Sequence, residues 1–396
     1  MTARMTVVYA NQTPPASWAS SIFLAGPTPR AETTLPSWRP DALKYLEEIG
    51  YTGVVFVPED ENGAWLHSYD DQIEWEEMCL NFADVIIFWI PRELEQMPAF
   101  TTNDEWGAWK KQDPMKLVLG TPPDAPKVRY QRYYAEKHNI PTFTSLEDTC
   151  YAAFEKNSTD PYLPFQRSMR SGGERSVPLH IWRTSSFQSW YQNLIAAGNR
   201  LDDARVVWVF RVGPKLQFIL FWALHVDIYI AAEDRHKMNE VVIGRPDIST
   251  VMLYERKESV LDSRIVIVKE FRSPVSNAVG YVFELAGGSS WKQNQNPFEI
   301  MVDECAEEAG VHLSPDRFVH REARQLAATT VSHSAHLFSA ELTTAEMDAV
   351  EQNANIVRGV EKDSERTWAQ VFTYRELLES TTVDWSMLGM IASVLR

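Results

Sequence analysis

The sequence predicts two folded domains, an α/β domain built on a doubly wound parallel sheet and an α+β domain with a mixed sheet between helices. Up to residue 157 short apolar segments alternate with amphipathic ones, which is the pattern of a parallel sheet covered by helices. Residues 158–177 are polar and contain prolines, serines and a glycine pair, a composition typical of a linker. Residues 178–396 carry consecutive strands before an acidic helix, and this order indicates the mixed sheet.

The first domain is predicted to form a flavodoxin-like sheet from strands that end in glycine, proline or polar residues. These strands are residues 21–26, 53–60, 84–91, 116–120 and 141–145. The helices between and after them are residues 37–50, 72–83, 102–111, 131–138 and 146–155. Because ligands of such sheets bind beyond the carboxyl ends of the strands, the loops at 25–30, 58–63 and 92–104 form the expected binding region.

The second domain is predicted to begin with strands and to end in a helix. The strands are residues 206–212, 224–232, 240–244, 250–256, 264–271, 336–342 and 367–374, and the closing helix is 384–396. The most apolar run, 218–232, is shorter than a membrane span and contains His225 and Asp227. It therefore predicts buried strands rather than a membrane helix.

The net negative charge of the chain argues against nucleic acids and anionic membranes as its main partners. The chain has 54 acidic and 38 basic residues, which gives a net charge of −16 at pH 7. A negative surface repels nucleic acid polymers and anionic membranes, so we expect a small molecule as the partner instead. The three cysteines are far apart and form no metal or redox pair, which suits a reducing, cytoplasmic location.

Acidic residues crowd the end of the predicted helix before Gly310. At about 3.6 residues per turn, Glu304, Glu307 and Glu308 fall within an arc of about 100°, and Asp303 extends this edge. Like charges four residues apart repel, and acids in the last turn oppose the helix dipole, so helix stability does not explain the cluster. Carboxylate oxygens on one face suit Mg²⁺ or Mn²⁺. The alternative is a solvated, acidic helix end.

Residues 304–311 resemble the second half of the Nudix box, the acidic motif of the Nudix hydrolase family. The resemblance implies a Nudix domain over 178–396, in which the three glutamates bind divalent ions and Glu308 is also catalytic. Its implied substrate is a compound linked to a nucleoside diphosphate. Two positions depart from the family pattern: Asp303 stands where the family has arginine, and the family's first glutamate falls near Gln295.

Three motifs of the first domain, at residues 22–30, 75–93 and 101–109, resemble those of the nucleoside 2-deoxyribosyltransferase-like family. Enzymes of this family break the bond between a nucleobase and C1′ of its sugar. The resemblance implies that Glu105 is the nucleophile that attacks C1′ and that Glu76 handles the leaving base. A second base or water then resolves the glycosyl-enzyme.

Each of these carboxylates also has a structural interpretation. Thr102 and Glu105 fit a capping box, in which the glutamate would bond back to the backbone at the helix start. Glu76 lies among other acids of its helix and also fits a surface position. Asp84 precedes a buried strand, where a structural role is favoured.

Residues that follow the strands are candidates for binding the substrate. Gly26 permits a close approach of backbone to ligand, and Arg30 or Arg92 would receive a 5′-phosphate if nucleotides are the substrates. Either arginine also fits an ordinary surface charge. Glu59 and Asp60 are candidates for sugar hydroxyls. The predicted substrate-binding set is Gly26, Pro27, Thr28, Arg30, Glu59, Arg92 and Asn103.

Two other polar groups lie in the second domain. The first supplies candidate metal ligands but is explained equally well as a charged loop, and consists of Glu361, Asp363 and Glu365. The second lacks the spacing of a metal or nucleophilic site, and consists of Ser332, His333 and His336. Within it, His333 could contact a base or phosphate.

We therefore predict a two-domain enzyme of nucleotide metabolism. The first domain would cleave or transfer an N-glycosidic bond, and the second would hydrolyse a diphosphate-linked nucleoside with Mg²⁺. The two activities would act in series. The resemblance of the first domain to the nucleoside 2-deoxyribosyltransferase-like family also allows a homo-oligomer. One alternative is a nucleotide sensor with one or both domains catalytically weak, which Asp303 and Gln295 favour. Another is a first domain that serves only as a scaffold.

Overall fold

The computed structural model describes residues 4–30, 35–61, 68–158, 169–213, 216–290, 295–359 and 366–396. Contacts divide the chain into two compact units, Met1–Ile243 and Gly244–Arg396. Residues 159–168 of the predicted linker lie outside the described residues. The candidate metal ligands Glu361, Asp363 and Glu365 also lie outside them.

The first unit contains a parallel sheet. Its strands are β1 (Thr6–Tyr9), β3 (Ser21–Ala25), β4 (Val54–Val57), β5 (Val85–Trp89), β6 (Leu117–Gly120) and β7 (Thr142–Phe143). They lie in the order β1-β4-β3-β5-β6-β7, and every neighbouring pair is parallel. The strands expected from the sequence thus follow the order of a flavodoxin-like sheet, and the predicted α/β class is confirmed.

Helices cover both faces of this sheet. They are α1 (Arg39–Glu48), α2 (Tyr69–Phe82), α3 (Phe100–Gln112), α4 (Arg129–Lys137) and α5 (Leu146–Ser158). Successive side chains of a strand point to opposite faces, so β3 sends Phe23 into one apolar cluster and Leu24 into the other. The first cluster contains residues of α2, α3 and α4, and the second contains residues of α1 and α5.

Strand β1 was not expected from the sequence. It runs parallel to β4, with Thr6 beside Val54 and Tyr9 beside Val57. Of its four residues only Val8 is fully buried, because the strand lies at the edge of the sheet. It therefore lacks the continuous apolar run that marks the central strands. The residues that follow it reach the carboxyl edge, where the predicted site lies.

A buried ion pair joins three segments at the amino edge of the same sheet. Asp84, just before β5, accepts hydrogen bonds from the backbone and hydroxyl of Ser21 at 2.9 and 3.1 Å. The guanidinium of Arg170 donates to the same oxygen of Asp84 at 2.5 Å, and both charged side chains are fully buried. Arg170 lies in β8 (Arg170–Ser171), which pairs with β2 (Ser17–Trp18). These contacts agree with a structural role for Asp84.

The rest of the first unit is an antiparallel sheet with two helices. Its strands are β9 (Arg200–Val212), β10 (Phe218–Ile230) and β11 (Arg235–Gly244), in the order β11-β10-β9. Its helices are α6 (Leu179–Trp182) and α7 (Ser185–Ala196). Trp222 of β10 packs on Phe187 of α7 with the ring centroids 5.6 Å apart, which places an aromatic core between sheet and helix.

The sequence pattern assigned residues 178–243 to the second domain, whereas their contacts group them with the first unit. Polar contacts contribute to this grouping. Arg183 donates to the backbone carbonyl of Asn157 in α5 at 2.7 Å. The ring of His180 lies 3.2 Å from the carboxylate of Asp113, which follows α3. Antiparallel strands occur in both units, so the strand pattern alone does not assign them to one or the other.

The second unit is a mixed sheet between helices. Its strands are β12 (Ile248–Glu255), β13 (Arg264–Glu270), β14 (Val282–Glu284), β15 (Ala286–Gly288), β16 (Val319–Gln325), β17 (Ser334–Glu341) and β18 (Thr367–Thr373). Strands β12 and β17 are parallel, and the other pairs are antiparallel. Its helices are α8 (Pro297–Glu304), α9 (Thr344–Gln352), α10 (Tyr374–Glu379) and α11 (Trp385–Leu395). Residues of α8 and α9 belong to one apolar cluster and residues of α10 and α11 to another.

The mixed sheet of the second unit is as predicted, although a mixed sheet by itself does not identify a Nudix fold. Throughout the described ranges, no helix combines the length and the apolar composition needed to cross a membrane. The apolar run at 218–232 lies largely in one strand, β10, which is buried only in part, whereas the sequence predicted a buried pair of strands.

Candidate active site

The carboxyl ends of β3, β4 and β5 bring the predicted site loops together. Gly26 directly follows β3, Glu59 lies two residues beyond β4, and Arg92 lies three residues beyond β5. The strand order reverses at β3 and β5, which is where open α/β sheets bind their ligands. Helix α3, which carries Glu105, begins after the β5 loop.

Gly26 lies where two of these loops touch. Its φ of 154° is in a region that residues with a side chain rarely adopt. A Cβ at this position would overlap the carbonyl oxygen of Trp89 and the ring of Trp38. Packing therefore requires glycine here, while contact between Gly26 and a substrate stays a prediction.

Replacing Gly26 with alanine is expected to destabilise the protein by about 2–3 kcal/mol, because backbone strain and the overlap with Trp89 act together. Urea unfolding followed by circular dichroism measures this loss. Gly107 is the matched control, since a Cβ there would meet only the end of the Lys110 side chain. Equal unfolding midpoints for Gly26→Ala and Gly107→Ala would contradict the prediction.

The residues after β3 are held by the start of α1. The Pro27 carbonyl accepts a hydrogen bond from Nε1 of Trp38 at 3.1 Å. The Thr28 hydroxyl accepts one from Nη1 of Arg39 at 3.1 Å. Arg30 is exposed. The first two residues thus bond to protein groups, and substrate contacts by all three stay predictions.

Arg39 is a site residue that the sequence analysis missed. Arg39 is the first residue of α1 and is only 1% exposed. Its guanidinium donates hydrogen bonds to the carbonyls of Leu24 and Gly26 at 3.1 and 2.7 Å. It also bonds the carboxylate of Glu59 at 2.5 Å. The hydroxyl of Ser37 lies 3.0 and 2.8 Å from the two oxygens of that carboxylate. Glu59 is therefore held at the edge of the site, where we predicted a ligand for sugar hydroxyls.

The structure does not support a capping role for Glu105. Helix α3 begins at Phe100 and its N-cap is Ala99, so Thr102 lies inside the helix rather than at its start. The Thr102 hydroxyl is buried and has no hydrogen-bond partner among the described residues. The Glu105 side chain is partly buried and is not used to cap the helix.

Glu105 lies in an acidic environment with little water. Burial is the main cause that raises the pKa of Glu105 to about 8. The negative charges of Glu76 and Asp104 act in the same direction, whereas the positive charge of Arg39 opposes them. Burial also raises the pKa of Glu76, against a 2.7 Å hydrogen bond from Gln72 and the charge of Arg39. The charge of Glu76 therefore acts on Glu105, and the charge of Arg39 acts on both predicted catalytic carboxyls.

Arg92 and Asn103 bond to each other and to their surroundings. Nη2 of Arg92 donates to Oδ1 of Asn103 at 2.6 Å, and Nη1 donates to the Lys127 carbonyl at 2.7 Å. Gln131 of α4 donates to the same oxygen of Asn103 at 2.7 Å. The pair thus links the β5 loop to α3 and α4. The predicted contacts of Arg92 and Asn103 with a substrate would compete with these bonds.

The edge strand β1 adds residues that the sequence did not indicate. Burial raises the pKa of Tyr9, and the charge of Glu61 adds to this effect. Gln12 donates to the Glu61 carboxylate at 3.0 Å, and its backbone carbonyl accepts a hydrogen bond from Nε1 of Trp75 at 2.8 Å. Trp75 precedes Glu76 in α2, so the segment after β1 supports the helix that carries this carboxylate. The short apolar run of β1 was the only sequence signal.

In the second unit the acidic helix ends at a glycine, as expected. Helix α8 continues into a π-helical turn at Cys305–Ala309, and Gly310 follows with a φ of 67°. Glu307 is exposed and Glu308 is buried. The predicted common face of three glutamates is therefore not formed.

Glu304 and Glu308 instead face the glycine turn at β15. Oε2 of Glu308 accepts a hydrogen bond from the Gly287 N–H at 2.8 Å, and the Glu304 carboxylate packs against Gly288. Burial is the main cause that raises the pKa of Glu308 to about 8, and the charge of Glu304 adds to it. Within the described ranges, no three His, Cys, Asp or Glu side chains are grouped to hold a metal ion. Mg²⁺ binding by Glu304, Glu307 and Glu308 stays a prediction, and their placement does not form a complete ligand set.

Of the two histidines near β17, His333 is buried and His336 lies close to a carboxylate. His333 is buried, which lowers its pKa, and the charge of Arg245 lowers it further. Nε2 of His336 lies 3.4 Å from the carboxylate of Asp247. Contact of His333 with a base or phosphate stays a prediction.

Comparison with known families supports one of the two resemblances. No curated protein matches the chain, and nothing in the comparisons supports a Nudix domain. Residues 19–123 match the family model described as nucleoside 2-deoxyribosyltransferase like. The matched segment contains Gly26, Glu59, Glu76 and Glu105. This part of the first unit is therefore similar to the nucleoside 2-deoxyribosyltransferase-like family.

Proposed function

We propose that the first unit breaks the N-glycosidic bond of a nucleoside, with Glu105 as the nucleophile. The observation that carries this proposal is that Glu105 on α3 and Glu76 on α2 both have raised pKa values, and that the charge of Glu76 contributes to the shift at Glu105. The two carboxyls belong to the segment that matches the nucleoside-processing family, and the loops of that segment meet at the carboxyl edge of the sheet. Carboxyls with perturbed pKa values in such a position are typical of active sites.

The proposed reaction has two steps. In the first, a carboxylate oxygen of Glu105 bonds to C1′ while the C1′–N bond breaks, and the electron pair leaves with the base. The carboxyl of Glu76 gives its proton to the leaving nitrogen. In the second step, water or another base attacks C1′ and releases Glu105, and the proton lost by the attacking group returns to Glu76.

The raised pKa values of the two carboxyls suit this sequence of proton transfers. Burial favours the neutral form of both groups, and a neutral Glu76 has a proton to donate. The reactive form is the one with that proton on Glu76 and the charge on Glu105. Because Arg39 favours the ionised form of both groups, its charge helps to set the pH range of this form.

The distribution of charge favours nucleosides over their 5′-phosphates. Arg39 and Arg92 already bond to protein groups, and Arg30 is exposed. A phosphate near Glu105 and Glu76 would add negative charge to a site that is already acidic. We therefore propose an uncharged nucleoside as the substrate, in place of the nucleotide that Arg30 or Arg92 would have received.

A substrate panel tests this function. Ribonucleosides, deoxynucleosides and their 5′-monophosphates are incubated with the protein, and free base is measured by chromatography. We expect base release from a nucleoside, with the corresponding 5′-phosphate at least about tenfold slower, a difference of about 1.4 kcal/mol. A preference for the phosphate that Arg30→Gln abolishes would overturn the choice of substrate. Equal thermal stabilisation of wild type and Glu105→Ala by a nucleoside, with no base released by either, would support a sensor.

Cation binding by the second unit has its own test. Glu308 must lose its proton to bind a cation, so the affinity for Mg²⁺ is expected to increase as the pH rises from about 6 to about 9. Isothermal titration calorimetry of the full chain measures this affinity. Glu308→Gln should remove the increase, whereas Glu299, which is exposed on α8 and is not a predicted ligand, gives a control variant, Glu299→Gln, that retains it. Absence of Mg²⁺ binding by wild type at pH 9 would refute the prediction.

A further inference from the structure

Arg39 connects the loops that follow β3 and β4. On the β3 side, its Nε and Nη2 donate to the carbonyls of Leu24 and Gly26. On the β4 side, its Nη1 bonds the carboxylate of Glu59. A planar guanidinium presents several donors at fixed angles, which the single ammonium group of lysine does not. The residue is therefore suited to holding two loops in one relative position.

The β3 loop in turn packs against the end of β5, from which the β5 loop leaves. Gly26, whose carbonyl is held by Arg39, has no space for a Cβ against the carbonyl of Trp89. Contacts that begin at Arg39 thus extend across the three strand ends of the predicted site. Glu105 lies on α3, the helix that follows the β5 loop.

Arg39 also brings a positive charge to an acidic site. The guanidinium is almost fully buried, so water screens its charge less than it would at the surface. The groups that influence Glu105 are Glu76 from α2, Asp104 from its own helix and Arg39 from α1. Of these three, Arg39 alone favours the ionised carboxylate.

We propose that Arg39 is a positioning residue of the active site, which holds Glu59 and the β3 loop in place and favours the ionised form of Glu105 that attacks C1′. Its consequence for catalysis rests on the proposed function. Its effect on the ionisation of Glu105 can be measured without any turnover. A purely structural arginine would affect folding but would leave that ionisation unchanged.

Two substitutions separate the geometry of Arg39 from its charge. Arg39→Lys keeps the positive charge but cannot bond both loops. Arg39→Met removes the charge and retains a long side chain. Lys44→Met is the matched control, because Lys44 lies on the same helix with 70% of its side chain exposed. Near-ultraviolet circular dichroism shows which of these variants retain the native packing.

The ionisation of Glu105 is followed by NMR of protein labelled with ¹³C-glutamate. The Glu105 carboxyl signal is assigned by its absence from the Glu105→Gln variant. We expect the midpoint of its titration to increase by about one pH unit or more in Arg39→Met, and to change little in Arg39→Lys and Lys44→Met. The same midpoint in Arg39→Met and wild type would overturn the proposal.

A second variant keeps the test decisive if Arg39→Met does not fold. Glu59→Gln removes the carboxylate that neutralises Arg39 and leaves the guanidinium charge in the site. The titration midpoint of Glu105 is then expected to decrease. An unchanged or increased midpoint would count against the electrostatic role of Arg39.

Kinetics test the consequence for catalysis on a nucleoside that the wild type cleaves. Arg39→Lys is expected to raise KM at least about tenfold with a smaller effect on kcat, because the binding loops lose their common support. Arg39→Met should also move the acidic limb of the kcat/KM profile to higher pH. If the wild type releases no base from any nucleoside, the proposed function fails, and the NMR titration still decides the role of Arg39.

Discussion

Base release by Glu105→Gln is expected to fall at least about a thousand-fold below that of wild type, because an amide cannot form the glycosyl-enzyme. Glutamine has nearly the same size as glutamate, so the fold should be retained, and circular dichroism verifies this. Glu76→Gln is expected to slow the reaction by about a hundred-fold or more, through the loss of the proton donor. Glu74 is exposed on the same helix as Glu76, and Glu74→Gln is the matched control. A wild-type rate in Glu105→Gln would remove this residue from the mechanism.

The same substitution has an expected effect on stability that depends on pH. The pKa of Glu105 rises from 4.5 to about 8 on folding, so the folded protein binds more protons than the unfolded chain between these values. Its stability therefore decreases as the pH rises through this range. Glutamine does not titrate, so Glu105→Gln should gain stability relative to wild type between pH 5 and pH 9. Urea unfolding at the two pH values measures the difference, and a constant difference would contradict the raised pKa.

Replacing Asp84 with alanine is expected to destabilise the protein by about 3–5 kcal/mol. The substitution leaves the guanidinium of Arg170 buried without its carboxylate, and it removes two hydrogen bonds to Ser21. Because the cost comes mainly from the uncompensated charge, Asp84→Ala/Arg170→Met should recover part of the loss.

An exposed ion pair provides the control for this measurement. Lys44 and Glu48 of α1 lie 3.8 Å apart with more than half of each side chain exposed. Glu48→Ala should therefore change the free energy of unfolding by less than about 1 kcal/mol. Unfolding in urea compares the variants. Similar losses for Asp84→Ala and Glu48→Ala would show that the buried pair does not stabilise the fold as described.

The central strands could be predicted because their residues are apolar on both faces. β3, β4, β5 and β6 are buried along their whole lengths, which is rare outside a parallel sheet covered by helices. The regular alternation with helices then indicated where the strand ends, and hence the site loops, come together. Edge strand β1 is half exposed, and its residues carry no comparable pattern.

Other features depend on contacts between residues that are distant in the sequence. An arginine at the start of a helix is usually solvated, and only its spacing with Ala42 and Leu46 on the buried face of α1 distinguished Arg39. The π turn at Cys305–Ala309 was also outside the reach of sequence patterns, because an acidic helix end has the same residues in either winding. The affiliation of residues 178–243 depended on side-chain contacts such as that of Arg183 with Asn157.

The ion pair formed by Asp84 and Arg170 limits how short a fragment of this chain can be and still retain a stable fold. A fragment cut at residue 157, where the α/β pattern ends, would keep the buried carboxylate of Asp84 and lose its guanidinium partner. The uncompensated buried charge should make such a fragment less stable than a longer one that retains Arg170. A fragment of residues 19–123 would also lack β1 and β7. The segment that matches the family model is thus shorter than the segment that contains the whole parallel sheet and the buried ion pair.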